Sequence, residues 1–175
     1  MPARLTALAL LVALPASADP GKAPAHHAGT PSLIGQYGQW IVATRNEADA
    51  KTCFIFTRAE ASPQHIPGRG DVVLSVTRRS TRRDVVALSA GFLLAGHEDA
   101  PLQAGQTKML FYIAGRSAFA RDNQAAIAAF NHESSVTAHL NGPRGIAATD
   151  HFSLRGFNGA YAALAKTCPG PGDPK

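Results

Sequence analysis

A mainly β fold, an antiparallel β-sandwich or partly closed barrel with two short helices, is predicted by three features of this sequence. Short apolar runs recur through the middle of the chain, separated by Gly, Pro, Asn and Asp clusters. Most links between them are too short for the crossovers that parallel strands require. Only two cysteines occur, Cys53 and Cys168, near the two ends of the patterned region.

Taken in order, the chain opens on "MPARLTALALLVALPASADP", with one positive charge at Arg4, an apolar run from Leu5 to Leu14, and small residues at Ala16 and Ala18. That pattern predicts a secretory signal peptide over 1–18. The apolar run is about half of what a membrane-spanning helix needs, so an exported protein with no transmembrane segment is expected, periplasmic or at the cell surface. Residues 19–32, "DPGKAPAHHAGTPS", read as a flexible leader, and "PGPGDPK" at 169–175 as a disordered tail. Residues 33–168 are left as a single domain with room for a core.

Within it, "GQYGQWIVATRNEADAKTCFIF" (Gly35 to Phe56) reads as two apolar strands joined by a charged turn. "DVVLSVTR", "DVVALSAGFLL", "TKMLFYIA", "SVTAHL" and "TDHFSLR" continue the series. In "SVTAHL", Val136, Ala138 and Leu140 alternate with polar neighbours, the period-two pattern of a sheet with one buried face. Two segments break this pattern. "DNQAAIAAFNHE" starts at Asp122, a good N-cap, and is alanine-rich, which predicts a short helix. After Gly156, Phe157, Tyr161, Leu164 and Cys168 fall at spacings of four, three and four, one face of a second helix.

Two cysteines in an exported chain are most simply paired with each other. A bond between Cys53 and Cys168 closes a loop around nearly the whole domain, for which chain entropy gives roughly 4 to 5 kcal/mol. It clamps the terminal helix, through its apolar face, onto the strand carrying Cys53. A redox role lacks the C-x-x-C pair such chemistry uses.

Catalytic signals are sparse. No G-x-S-x-G elbow, Walker loop or dinucleotide fingerprint occurs, and the seven histidines show no metal-ligand spacing. His26 and His27 sit in the leader. Asp150 and His151 are strand neighbours that point to opposite faces. Asp150 shares parity with Phe152 and Leu154, which suits capping or pairing with an arginine at a sheet edge. No catalytic residue, metal or cofactor is therefore expected. The strongest charge feature is "TRRSTRRD", where Arg78, Arg79, Arg82 and Arg83 lie between two apolar strands. With a formal net charge of +5, this basic hairpin tip is the candidate contact for an anionic lipid or lipopolysaccharide surface, or for an acidic envelope protein. The alternative is a solvated turn that guards a sheet edge. Nucleic acid is not an expected partner, because no aromatics interleave with the arginines.

An Ile-Gly-x-Tyr-Gly-x-Trp opening (Ile34 to Trp40), Cys53 in the next strand, the run "GRSAFARD" from Gly115, and the close "TDHFSLRGFNGAYAALAKTC" together resemble the invasion-associated locus B family of Gram-negative envelope proteins. The resemblance covers the mature domain. It implies a signal peptide, a β-rich fold, the Cys53 to Cys168 pairing and a possible link to host-cell invasion, and it supplies no catalytic site. Gln39 stands where the family commonly has Asp. Trp40 is expected to pack in the core.

The function expected is a non-enzymatic binding module of the periplasm or cell surface. Two alternatives stay open: a hydrolase-like enzyme with a site assembled from distant residues such as His132, His139 or His151, and an accessory subunit of an envelope complex.

Overall fold

The computed structural model describes residues 29–47, 50–60, 65–79, 82–96 and 98–170. The signal peptide, most of the leader and most of the tail lie outside the described residues.

Among the described residues ten strands form one sheet: β1 (Ser32–Tyr37), β2 (Trp40–Glu47), β3 (Ala50–Arg58), β4 (Val73–Arg79), β5 (Arg82–Ser89), β6 (Ala100–Ala104), β7 (Thr107–Ala114), β8 (Ser117–Ala120), β9 (Ser135–Asn141) and β10 (Ala147–Ser153). Their order is β1-β2-β3-β4-β5-β8-β7-β6-β9-β10. Every neighbouring pair is antiparallel. Of the two predicted architectures the barrel-like one is adopted: a single sheet curls into a half-barrel. Three strands go beyond the predicted runs. "QYGQWIVAT" is broken at Gly38, whose φ of 56° turns the chain and separates β1 from β2, and Ser32, assigned to the leader, already lies in β1. The short β6 and β8 carry too few residues to show periodicity. Conversely, the run from Asp84 leaves the sheet after Ser89. There Gly91 (φ 74°) passes so close to Gly70 that an added Cβ would lie 2.3 Å from the Gly70 carbonyl oxygen.

Both helices fill the inner face. Helix α1 (Asn123–His132) is capped by Asp122, whose carboxylate accepts from the Ala125 N–H at 3.0 Å. It carries the chain from β8 to β9 and buries Ile127 and Phe130. Helix α2 (Phe157–Thr167) buries Phe157, Ala160 and Leu164. The Phe157 ring meets Trp40 edge-on at 5.0 Å and Phe130 at 5.5 Å, and all three are essentially inaccessible to solvent. Full burial of such side chains contributes about 2 to 3 kcal/mol each, so this aromatic trio is the centre of the core. Trp40 is buried as expected, and its Nε1–H donates to the Ser153 carbonyl at 3.1 Å.

The opening and closing motifs meet here. The β1–β2 turn crosses the β10–α2 turn so closely that a Cβ on Gly38 would lie 2.5 Å from the Arg155 carbonyl oxygen, and one on Gly156 would lie 2.0 Å from that of Tyr37. The Gln39 N–H donates to Arg155 O at 3.2 Å, and the Glu60 N–H, just past β3, donates to His151 O on β10 at 2.8 Å. These contacts draw the last strand toward the first ones. The Cys53–Cys168 disulfide, between residues 115 apart in sequence, ties the end of α2 to β3.

Candidate functional site

The predicted basic tip lies at the end of the β4–β5 hairpin, and the structure divides its arginines. Alternation along β4 puts Leu74, Val76 and Arg78 on the inner face. Arg78 is therefore not available to a partner: it is buried, and its guanidinium grips Asp84 with two hydrogen bonds of 2.6 Å. It also donates to the Tyr161 hydroxyl at 3.1 Å, and that hydroxyl donates to Asp84 at 2.6 Å. This corrects the reading of Arg78 as a contact residue. A guanidinium facing the core is retained only because a carboxylate compensates it. Burial, reinforced by the hydrogen bond and charge of Asp84, pushes the Tyr161 hydroxyl up to about 12, so it remains a proton donor. Arg78 is the register partner of Cys53, so the disulfide and this triad hold α2 at adjacent strands.

The other three arginines are placed differently. Arg79 follows Arg78 onto the outer face and pairs in register with Thr52 on one side and Arg82 on the other. Between the pairs Thr77–Val85 and Arg79–Arg82 the register shifts, so Arg83 and Asp84 together oppose Arg78. Such a bulge re-aims side chains that strict alternation would send to opposite faces. Arg83, which is exposed, and Asp84 consequently both line one cleft of about 560 Å³, together with Arg121, Asn123, Gln124 and Tyr161.

Most charge around this cleft is compensated. Arg121 grips Asp99 at 2.8 and 3.0 Å, which holds the Asp99 carboxyl below the usual carboxylate range, and it lies 5.2 Å from the Tyr112 ring centre. Asp122 is engaged at the start of α1. Arg83 has no partner among the described residues, so the cleft keeps a positive mouth suited to a carboxylate or phosphate. Arg121 and Tyr161 were not singled out as site residues. The pair "RD" before α1 hints at the first, whereas Tyr161 lies 77 residues from Asp84 and no local signal joins them.

Of the three histidines of the enzymatic alternative, His139 and His151 are diagonal neighbours on one face of the β9–β10 ladder, and His132 lies apart in sequence at the end of α1. His132 ends α1, and His139 and His151 lie exposed on the outer face of β9 and β10. His151 bonds Thr137 at 3.0 Å and His139 bonds Thr149 at 3.3 Å across the ladder. Among the described residues no three His, Cys, Asp or Glu gather as a metal site, and no helix is long and apolar enough to cross a membrane. Asp150 pairs with an arginine, as its parity suggested: Arg69 grips it at 2.6 and 2.9 Å. Arg69 also donates to Ala90 O and stacks 4.6 Å from the Phe92 ring centre, pinning the segment before β4 to the last strand.

The fold thus defines a class: a small curled-sheet β protein plugged by two helices and closed by one disulfide. A crystal structure of this class, invasion associated protein B from Bartonella henselae, matches with a TM-score of 0.56 over 78% of this chain and 98% of its own, at 19% identity. That likeness is one of fold, and it carries the same family name as the sequence resemblance. No family model matches the chain, and no curated protein does.

Proposed function

We propose that this is an exported, non-enzymatic binding protein of the cell envelope that engages anionic groups, carboxylate or phosphate, through the end of the β4–β5 hairpin. The observation that carries the reading is the bulge at Arg83 and Asp84, which turns a cation without a partner among the described residues to the mouth of a cleft, beside Arg79 and Arg82 in the ladder. Export is supported by the signal-peptide pattern, by the Cys53–Cys168 disulfide, a bond that forms and persists chiefly in oxidising compartments, and by the envelope association of the resembled family. Titration of the mature protein with vesicles of anionic and of neutral lipid tests the reading. Binding to the anionic vesicles that weakens with salt and falls at least tenfold on changing Arg79, Arg82 and Arg83 together to Gln is expected. Arg78 stays unchanged because it holds α2. Unaltered binding by the triple variant would exclude the hairpin as the contact.

A further inference from the structure

The β9–β10 ladder carries a constellation that the hairpin does not use. Period-two alternation puts Thr137 and His139 of β9, and Thr149 and His151 of β10, on the outer face. The register sets each histidine opposite a threonine, His139 against Thr149 and His151 against Thr137. The two imidazoles therefore stand on one diagonal of the ladder, a placement made by strand pairing and not by sequence spacing. Diagonal neighbours across an antiparallel pair have Cβ atoms less than about 8 Å apart, within reach of ring side chains. Both histidines are exposed.

Each ring is held in the same way. His151 Nδ1 lies 3.0 Å from Thr137 Oγ1, and His139 Nδ1 lies 3.3 Å from Thr149 Oγ1. A neutral imidazole that donates its Nδ1–H to a hydroxyl oxygen keeps the Nε2 lone pair for another use, with its ring plane fixed. Neither Nε2 has a hydrogen-bond partner among the described residues. The surroundings carry little charge. Ser135 and Ser153 border one end of the diagonal, and Gln103 adjoins Thr137 on β6, with Lys108 one strand further on. On the other edge of β10, the exposed Glu60 donates its N–H to the His151 carbonyl.

We propose that His139 and His151 form a two-imidazole site for a divalent transition metal of the copper(II) class. Both Nε2 atoms bind one ion, and water fills the remaining positions, since no third His, Cys, Asp or Glu gathers there among the described residues. That donor set decides the metal. Two neutral nitrogens with water suit the tetragonal preference of copper(II), which also stands highest in the affinity order of the divalent series. Calcium and magnesium take oxygen ligands, and a structural zinc site takes four protein ligands. The water-filled positions make the ion exchangeable. Thr137 and Thr149 are positioning residues, each orienting the ring across from it. The site does not involve the β4–β5 hairpin, so it stands or falls independently of anion binding there.

The test titrates copper(II) into the exported protein by calorimetry, with His26→Gln and His27→Gln introduced so that the histidines of the leader do not contribute. Electron paramagnetic resonance of the complex counts the bound imidazoles. One ion per chain held by two imidazoles is the expected result. His139→Gln and His151→Gln should each weaken binding at least about tenfold and leave a single bound imidazole, whereas Thr137→Val with Thr149→Val should weaken it about tenfold with both imidazoles kept. His132→Gln, on α1, should change nothing. All these losses are expected at an unchanged denaturation midpoint, because the substituted side chains lie on the outer face. Equal affinity after His139→Gln with His151→Gln would mean an adventitious ion only and would overturn the proposal. A single imidazole on the ion in the protein that keeps both histidines, or no binding at all, would overturn it too. Undiminished affinity in the threonine variant would remove Thr137 and Thr149 as positioning residues.

Discussion

Strands β9 and β10 on one side and β2 to β5 on the other contribute to one inner core, yet they present opposite outer surfaces. The first pair alternates cleanly: Val136, Ala138, Leu140, Ala148 and Phe152 point in, while Thr137, His139, Thr149 and His151 point out and bond one another across the ladder. In the second group β2, β3 and β5 carry apolar residues on both faces, whereas β4 turns Ser75, Thr77 and Arg79 outward. The inner core takes one face from each strand, and the outward Ile41, Ala43, Phe54, Phe56, Val85 and Ala87 are not part of it. The two regions are also held differently. The β9–β10 side is pinned by the buried Arg69–Asp150 pair, and the β3–β4 side by the disulfide and the Arg78–Asp84–Tyr161 triad.

Breaking these attachments separates the two regions. The largest effect is expected from Asp150→Ala, which leaves Arg69 buried and unpaired: about 3 to 5 kcal/mol of stability, read as a lower denaturation midpoint. A loss under about 1 kcal/mol would mean that Arg69 escapes to solvent. Removing the disulfide by Cys53→Ala with Cys168→Ala should cost about 2 to 5 kcal/mol and loosen α2 first. Hydrogen exchange checks this: faster exchange in α2 with β9 and β10 unchanged is expected, and uniform acceleration would contradict separate attachment. The smallest effect belongs to Tyr161→Phe, about 1 kcal/mol for one hydrogen-bonding hydroxyl, but it has a pH signature. Because the folded hydroxyl is pushed up to about 12 from about 10 in the unfolded chain, its contribution is complete below pH 10 and disappears as pH rises toward 12. The natural protein should therefore lose stability between pH 10 and 12 more steeply than the Phe variant, and parallel curves would show that Tyr161 ionises freely.

The legible and illegible parts of this molecule divide along the range of the interactions involved. The two helices and the pairing of Asp150 with an arginine follow from periodicity, capping and parity, all of which act within a few residues, while the burial of Trp40 follows from its size and the partner of Cys53 from there being only two cysteines. The fate of the "TRRSTRRD" arginines does not. Their sorting depends on a one-residue register shift and on Tyr161, which joins Arg78 from 83 residues away. Counting strands failed for similar reasons: β6 and β8 are too short to alternate, and β1 is separated from β2 only by a glycine turn. Closure of the sheet was open between sandwich and barrel because it is decided where Gly38 and Gly156 cross, and two glycines far apart announce no contact.

That crossing also sets an order of events. Trp40 finds its carbonyl partner at Ser153 and its aromatic neighbour at Phe157, so the first hairpin cannot be sealed until nearly the last residues of the domain have arrived. A chain emerging N-terminus first keeps its largest core side chain waiting throughout. Completion, together with the bond from Cys168 back to Cys53, is reserved for the moment when the whole domain stands in one compartment.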